Sequence, residues 1–344
     1  QVTVKSLHCR PREADSADRT LTRYSAPAGP TSAVKMWAAC AVVIALYACW
    51  MAVTDSARFK EASWGPDAIA RLLQRCCNLL ASLLGLSLDI VFDEGAPSLP
   101  YDGGGVVGAA SPHSSFPVTQ VGIGMFLFRL DERLATMRLR NAGASVLFYV
   151  PLLRELLLLL GVRDATRSNV RRLLDRGYTV ALNPGGNYEM ASASSTHEAI
   201  FCQGKLGFVR IALAAGKPIL PLYAFGENQL FVTSSLFLST RRWIARRFRL
   251  GIPIMFGRGG LPYGPPLPTH VTIVVGRPVE CGTPNENPSE PEVEALFDRY
   301  LDEISRIWAT HARAYLPPEV ADRGLRIERI GFGLVRQVAA LNRP

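Results

Sequence analysis

The chain has 344 residues, 48% of them apolar and 19% charged, with a formal net charge of +9. That length buries one large core or two modest ones, and so apolar a composition is compatible with membrane attachment. The basic excess suits an anionic membrane surface or a phosphate-bearing substrate. No RNA-binding signature, zinc finger or aromatic-basic repeat accompanies it, so nucleic acid ranks last as a partner. The 7 cysteines are odd in number and include no CxxC pair, as in a reduced, intracellular protein without thiolate ligands.

Residues 1–34 are polar, contain Pro11, Pro27 and Pro30, and show no apolar period. With Gln1 rather than Met in first place, they read as a disordered or processed leader. Met36 to Thr54 is free of charge, close to the ~20 residues that cross a bilayer core. Trp37 and Trp50 stand near its two ends, as interface-seeking aromatics do. A cleaved signal peptide competes with this reading, but the segment's length and its distance from the start favour a membrane span. Lys35 on one side and Arg58 and Lys60 on the other leave orientation open. Cys76 to Leu88 is apolar but too short to span unaided; it suits the return arm of a membrane hairpin or an interfacial helix.

Beyond Gly103-Gly104-Gly105, Val106 to Ala110 predicts a small apolar strand ending in Ser111-Pro112-His113-Ser114. Helical pattern resumes at Val118 to Leu134, Ser145 to Val150 is a strand candidate, and Pro151 opens a leucine-rich helix. Thr166 or Ser168 can cap a short amphipathic helix closed by Gly177. Tyr178 to Leu182 then predicts a buried strand that opens at Pro184-Gly185-Gly186 into a tight loop. Paired glycines free the backbone there and let a ligand approach closely. Glu189 stands where a strand delivers side chains into a site. Lys205 to Ala215 has helical spacing and is capped by Gly216. Pro218 to Phe225 is a second apolar strand, ending in Gly226-Glu227-Asn228. On spacing alone this is one βαβ unit of any α/β enzyme.

Arg241 to Leu250 interleaves arginines with Trp243, Ile244 and Phe248, which fits a solvated basic face and a membrane-surface helix about equally. Ile252 to Phe256 and Val271 to Val275 predict two more strands around a Gly/Pro-rich loop that holds Arg258. An apolar stripe from Val293 to Trp308 predicts a helix over 290–312 packed on the sheet.

Only His113, of the 5 histidines, stands at a strand-to-loop junction after a proline, where α/β folds display reactive groups. So placed, it can act as general base on a hydroxyl near neutral pH, although a single histidine more commonly has a structural role. No His/Cys/Asp cluster has metal spacing. No GxSxG elbow occurs, which disfavours a serine hydrolase, and no GxxxxGK[ST] loop occurs.

Several motifs then fall in order. Ser111-Pro112-His113-Ser114 is followed by Pro151, Leu153-Arg154-Glu155 and Gly161, and by Gly185-Gly186-x-x-Glu189. Lys205-Leu206-Gly207-Phe208-Val209-Arg210 and Tyr223-Ala224-Phe225-Gly226-Glu227-Asn228 come next. Gly257-Arg258-Gly259 and Val274-Val275-Gly276-x-Pro278 complete the series. Over roughly residues 103–312 this series resembles the type-2 diacylglycerol acyltransferase family, which also holds monoacylglycerol and wax-alcohol acyltransferases. The family's His-Pro-His-Gly has become Ser111-Pro112-His113-Ser114, which keeps its second histidine as His113 and replaces its glycine by Ser114. Leu206 stands for a family lysine. In the related glycerophospholipid acyltransferases a His-x-x-x-x-Asp pair is used, but Pro117 holds the aspartate's place here, which leaves Glu189 as the candidate partner.

The resemblance implies an α/β fold with a mixed sheet flanked by helices, glycerolipid-acyltransferase-like, anchored in the endoplasmic reticulum membrane by an N-terminal hydrophobic segment. The expected division is a leader at 1–34, a membrane-associated region at 35–92 and an acyltransferase domain at 93–344. The implied reaction is transfer of a fatty acyl group from acyl-CoA, as co-substrate, to diacylglycerol. His113 would be the base and Glu189 would hold its imidazole. Substrate contacts are expected from Pro112, Gly185, Gly186, Lys205, Arg210, Glu227, Asn228 and Arg258, with Arg210 and Arg258 on the coenzyme A phosphates. No metal or bound cofactor is required. The expected partners are acyl-CoA, a lipid acceptor and the membrane, with no nucleic acid; self-association is left open. The rival readings are a monoacylglycerol, long-chain alcohol or sterol acceptor, an inactive lipid-binding relative, and a soluble α/β hydrolase with a cleaved leader.

Overall fold

A computed structural model describes residues 32–60, 67–96, 104–116 and 138–341. Most of the expected leader, the helical pattern at Val118 to Leu134, and Pro117 lie outside them. The chain divides into two compact units, Gln1–Asp55 and Ser56–Pro344. In the first, helix α1 (Ser32–Val53) contains the charge-poor run. From Lys35 to Val53 it is long and apolar enough to cross a membrane, with mean hydropathy 2.1 and none of that window buried. A signal sequence near an N-terminus passes the same test.

In the second unit, α2 (Asp67–Leu83) is followed by β1 (Ser87–Phe92), so the apolar stretch Cys76 to Leu88 is not one element. Gly85 adopts φ +65° and turns the chain, and Leu88 already belongs to a strand paired with the main sheet.

The main sheet also contains β2 (Val107–Ser111), β3 (Leu139–Gly143), β4 (Val162–Asp164), β5 (Thr179–Leu182), β7 (Ile219–Phe225) and β10 (His270–Val275). Its order is β1-β10-β7-β2-β5-β3-β4. From β7 through β4 every neighbour is parallel; β10 runs antiparallel to β7 and carries β1 parallel to itself. The sheet is therefore mixed, as expected. β2 is buried at every position, which suits the small residues of Val-Gly-Ala-Ala-Ser in a strand covered on both faces. A smaller sheet joins β6 (Glu198–Cys202), β11 (Leu325–Arg329) and β12 (Gly333–Val338) in the order β12-β11-β6. β8 (Val232–Thr233) pairs with β9 (Met255–Phe256).

Among the described residues, seven α-helices follow α2: α3 (Leu153–Leu159), α4 (Arg167–Asp175), α5 (Gly186–Ser192), α6 (Gly207–Ala215), α7 (Leu238–Phe248), α8 (Glu290–Tyr315) and α9 (Pro318–Ala321). α8 starts from a capping box between Ser289 and Glu292 and buries the stripe Val293, Leu296, Phe297, Tyr300, Leu301, Ile304, Ile307 and Trp308. It packs on β7 and α6, where Phe208 meets Tyr300 edge to face at 5.2 Å between ring centroids. Fully burying each such side chain is worth about 1.5–3 kcal/mol, which makes α8 the main cover of the sheet.

Three elements depart from expectation. Ser145–Tyr149 is a 3₁₀ turn rather than a strand, because only Phe148 of the run finds a core to enter. The leucine-rich helix begins at Leu153, not at Pro151, since Leu152 takes φ +64°. The strand expected at Ile252 to Phe256 shrinks to Met255–Phe256, Pro253 having no N–H for a ladder. Short polar strands such as β3 (Leu-Arg-Asn-Ala-Gly) were not anticipated.

Near the β4 edge the segment after α1 is held by charge. Arg58 pairs with buried Asp164 at 3.2 Å and donates to the Tyr149 hydroxyl at 3.0 Å. Ser145 Oγ and the Thr166 amide also donate to Asp164, at 3.1 and 2.9 Å.

Candidate active site

β2 delivers Ser111 at its end, and the chain from Pro112 to Ser115 stays buried. His113 is 8% exposed, and its Nδ1 lies 3.2 Å from the Ser114 carbonyl. A carbonyl only accepts, so Nδ1 carries the proton and Nε2 keeps its lone pair. Burial pushes the imidazole from 6.5 down to about 4, against a smaller opposing effect of the Ser114 carbonyl. His113 is thus neutral and basic at Nε2 at neutral pH. Ser114, at the family's glycine position, turns its hydroxyl into the loop and donates to the Phe116 carbonyl at 2.5 Å.

The glycine loop comes alongside through Asn183, whose Nδ2 donates to the Ala110 carbonyl at 2.8 Å. Glu189 does not sit at a strand end as expected. β5 stops at Leu182, the loop passes straight into α5, and Glu189 occupies the first turn of that helix. Gly185 permits this, because a Cβ there would run into the Glu189 carboxyl and the Phe201 carbonyl. The Gly186 amide is bonded to the Asn183 carbonyl at 3.2 Å.

Glu189 is 1% exposed. Burial raises its carboxyl from 4.5 to about 8, and the charges of Glu227 and Glu198 push the same way, while the backbone amides of His113 and Phe201 oppose. Those two amides face the carboxyl but close no hydrogen bond of ordinary geometry, and neither oxygen has a partner among the described residues. Glu189 therefore meets the main chain of His113, and the bond that orients the ring goes to Ser114.

Behind this point lies a second buried carboxyl that the sequence reading passed over. Glu198 accepts from the Tyr223 hydroxyl (2.7 Å), Asn228 Nδ2 (3.1 Å) and Gln229 Nε2 (3.0 Å), and burial raises its pKa. Asn228 and Glu227, both expected to contact substrate, are buried and are not among the residues that line the cleft described next.

His113 opens on a cleft of about 770 Å³. Its basic lining is Arg167, Lys205, Arg210, Arg246 and Arg249, and among the described residues no carboxylate lines it. The first turns of α4 and α6 contribute Arg167 and Gly207, and helix N-termini favour an anion. Of the expected contacts, Gly186, Lys205 and Arg210 line the cleft, whereas Pro112 and Gly185 stand behind it. Arg210 is also paired with Glu290 at 2.6 Å. Arg258 lies elsewhere, bonded to the Leu84 carbonyl. Arg167, Arg246 and Arg249 escaped the sequence reading because no local motif marks them; Arg246 sits in the basic helix read there as a solvated or membrane-surface face. Gly103 to Gly108 fits the spacing GxGxxG, but Gly108 lies within β2, where a dinucleotide loop would open a helix.

Comparison with known proteins places the chain. Diacylglycerol O-acyltransferase 1 of Saccharomyces cerevisiae is 28% identical over 185 residues, covering 50% of this chain and 43% of that protein. Diacylglycerol O-acyltransferase 2 of Homo sapiens is 29% identical over 189 residues (50% and 47%), and 2-acylglycerol O-acyltransferase 1 of Homo sapiens is 26% identical over 183 residues (50% and 54%). The chain spans about half the length of the curated relatives it matches. The solved 1-acyl-sn-glycerophosphate acyltransferase PlsC of Thermotoga maritima aligns with TM-score 0.42 at 15% identity, over 78% of this chain and 96% of that one. The family model for diacylglycerol acyltransferase matches residues 34–322, a span that takes in His113, the glycine loop and every residue lining the cleft; the chain belongs to the diacylglycerol acyltransferase family.

Proposed function

We propose that the protein is a membrane-attached O-acyltransferase of the endoplasmic reticulum, moving a fatty acyl group from acyl-CoA to the free hydroxyl of diacylglycerol to form triacylglycerol. The observation that carries this is a neutral His113, its Nε2 lone pair free of the proton, in the wall of a cleft whose described lining holds five cationic side chains. Nε2 takes the hydroxyl proton as the oxygen attacks the thioester carbonyl. The tetrahedral oxyanion collapses, the carbon–sulfur bond breaks, and the leaving thiolate recovers the proton from the imidazolium. Arg246, Arg249, Arg167 and Lys205 hold the coenzyme A phosphates by charge-assisted hydrogen bonds. Glu189 acts as a positioning residue, a neutral acid packed against the His113 backbone.

A monoacylglycerol acceptor is the second reading, favoured by the similarity to 2-acylglycerol O-acyltransferase 1. Membranes from cells expressing the chain, supplied with labelled acyl-CoA and a panel of diacylglycerol, monoacylglycerol and long-chain alcohol, decide between them by the labelled product. Absence of product with every acceptor would point to a lipid-binding relative without catalysis.

A further inference from the structure

The second unit carries a surface that neither the sheet nor the cleft uses. α7 turns Arg241 and Ala245 inward, and its outer face shows Trp243 and Phe248, 54% and 61% exposed. These rings pack edge to face at 5.6 Å, with the Arg247 guanidinium 5.6 Å from the Phe248 centroid. Two flanking loops add to the same kind of surface. Leu236 and Phe237 precede the helix and Leu261 and Tyr263 follow the β9 strand, all more than half exposed.

Phe237 and Tyr263 hold φ +53° and +51°, a left-handed backbone that an L side chain with a bulky ring adopts only at a cost. The strain at Phe237 is fixed from within. Buried Arg241 donates to the carbonyls of Leu236 (3.0 Å), Ser234 (2.5 Å) and Ala191 (3.1 Å), tying the exposed loop to the end of α5. Exposed apolar rings held rigidly outward are not a solvated face.

Charge selects what covers them. From Asn228 to Val279 the sequence has no aspartate or glutamate, while arginine recurs throughout. A basic, aromatic surface of this kind is complementary to anionic headgroups with acyl chains just beneath.

We infer that the outer face of α7, with the loops at Leu236–Phe237 and Leu261–Tyr263, seats on an anionic lipid surface, with its aromatic rings at the depth of the headgroup–acyl boundary and Arg247 among the lipid phosphates. This contact belongs to the second unit itself and does not depend on which acceptor the cleft takes. It sets the mouth of the cleft at the lipid surface, because Ala245, Arg246 and Arg249 of the same helical region line that cleft.

The test uses the full chain reconstituted in phosphatidylcholine vesicles containing a minority of phosphatidylserine, with bromine on the upper acyl carbons. Trp243 fluorescence is taken as the difference between wild type and Trp243→Phe. Bromine should quench about half or more of that share, as expected for a ring seated ~5–10 Å into the interface, and aqueous acrylamide should reach it poorly. Phe237→Trp supplies an independent reporter that should behave alike. Arg247→Glu lies outside the cleft lining and should weaken quenching in phosphatidylserine vesicles more than in pure phosphatidylcholine. Free acrylamide access with unquenched emission at both positions would overturn the inference, and so would an Arg247→Glu effect equal in both lipids.

Discussion

Glu189→Gln tests the electrostatics of the site most directly. In the fold the carboxyl is raised from 4.5 to about 8, so between these values the folded chain holds a proton that the unfolded chain has released. Stability linked to this group is fully present below pH 4.5 and is lost as pH rises through 8. The slope is about −1.4 kcal/mol per pH unit across that window, and the whole effect is on the order of 5 kcal/mol. For a domain of this size the apparent Tm of detergent-purified wild type should fall by roughly 3–6 °C per pH unit relative to Glu189→Gln, whose neutral amide does not titrate. The assay is thermal unfolding of both proteins at matched pH. Parallel profiles would refute the reasoning, since they would mean that Glu189 is already ionised in the folded protein. Turnover adds a second readout. A carboxylate that stabilised the imidazolium would be missed by about 10²–10⁴-fold, whereas a neutral positioning group replaced by its amide should cost less than about tenfold at neutral pH.

His113→Ala should lower acyl transfer by about 10²–10⁴-fold with the protein still in the membrane fraction, while His197→Ala and His270→Ala at matched expression stay near wild type. Because burial lowers His113 to about 4, the acid limb of the wild-type pH–rate profile should lie well below the usual histidine range; a limb near 6.5 would contradict it. Arg246→Ala should raise the KM for acyl-CoA by about tenfold or more with kcat little changed, measured by initial rates over a range of acyl-CoA; the loss of one charge-assisted hydrogen bond sets that scale. Arg58→Ala leaves buried Asp164 without its cation and should destabilise the second unit by about 3–5 kcal/mol, read as a drop in Tm that Asp164→Asn combined with Arg58→Ala partly restores.

The elements with strong local chemistry were legible in the sequence. The strand ending in the glycine loop, the helix after Thr166 and the long stripe of α8 each announce themselves by their apolar period, although Thr166 holds the N-cap position without a side-chain cap bond. The position of His113, just after a buried strand, follows from its junction and its motif. What escaped was set by tertiary packing. β6 is five residues of mixed polarity whose Glu198 is tolerable only because Tyr223, Asn228 and Gln229 converge on it from β7 and the turn beyond. Motif membership likewise does not tell that Glu227 and Asn228 are buried and do not belong to the cleft lining, since a motif records position and says nothing of which way a side chain faces. The basic lining of the cleft is assembled from α4, α6, α7 and the loop before α6, so no window of sequence contains it. The partner of the imidazole was sought among carboxylates, whereas the ring is held by the carbonyl of its own neighbour.

The pairing of β1 with β10 bears on how the chain is made. Ser87 and His270 face each other across parallel strands but are 183 residues apart in the sequence. At ~5–20 residues per second, synthesis leaves β1 without its neighbour for about 10–40 s. For that interval Leu88, Ile90 and Val91 offer an apolar strand edge to any passing chain. A frameshift or stop codon before Val275 would make the exposure permanent. Such products should be cleared by quality control rather than accumulate in folded form, even when they end well past His113 and the whole glycine loop.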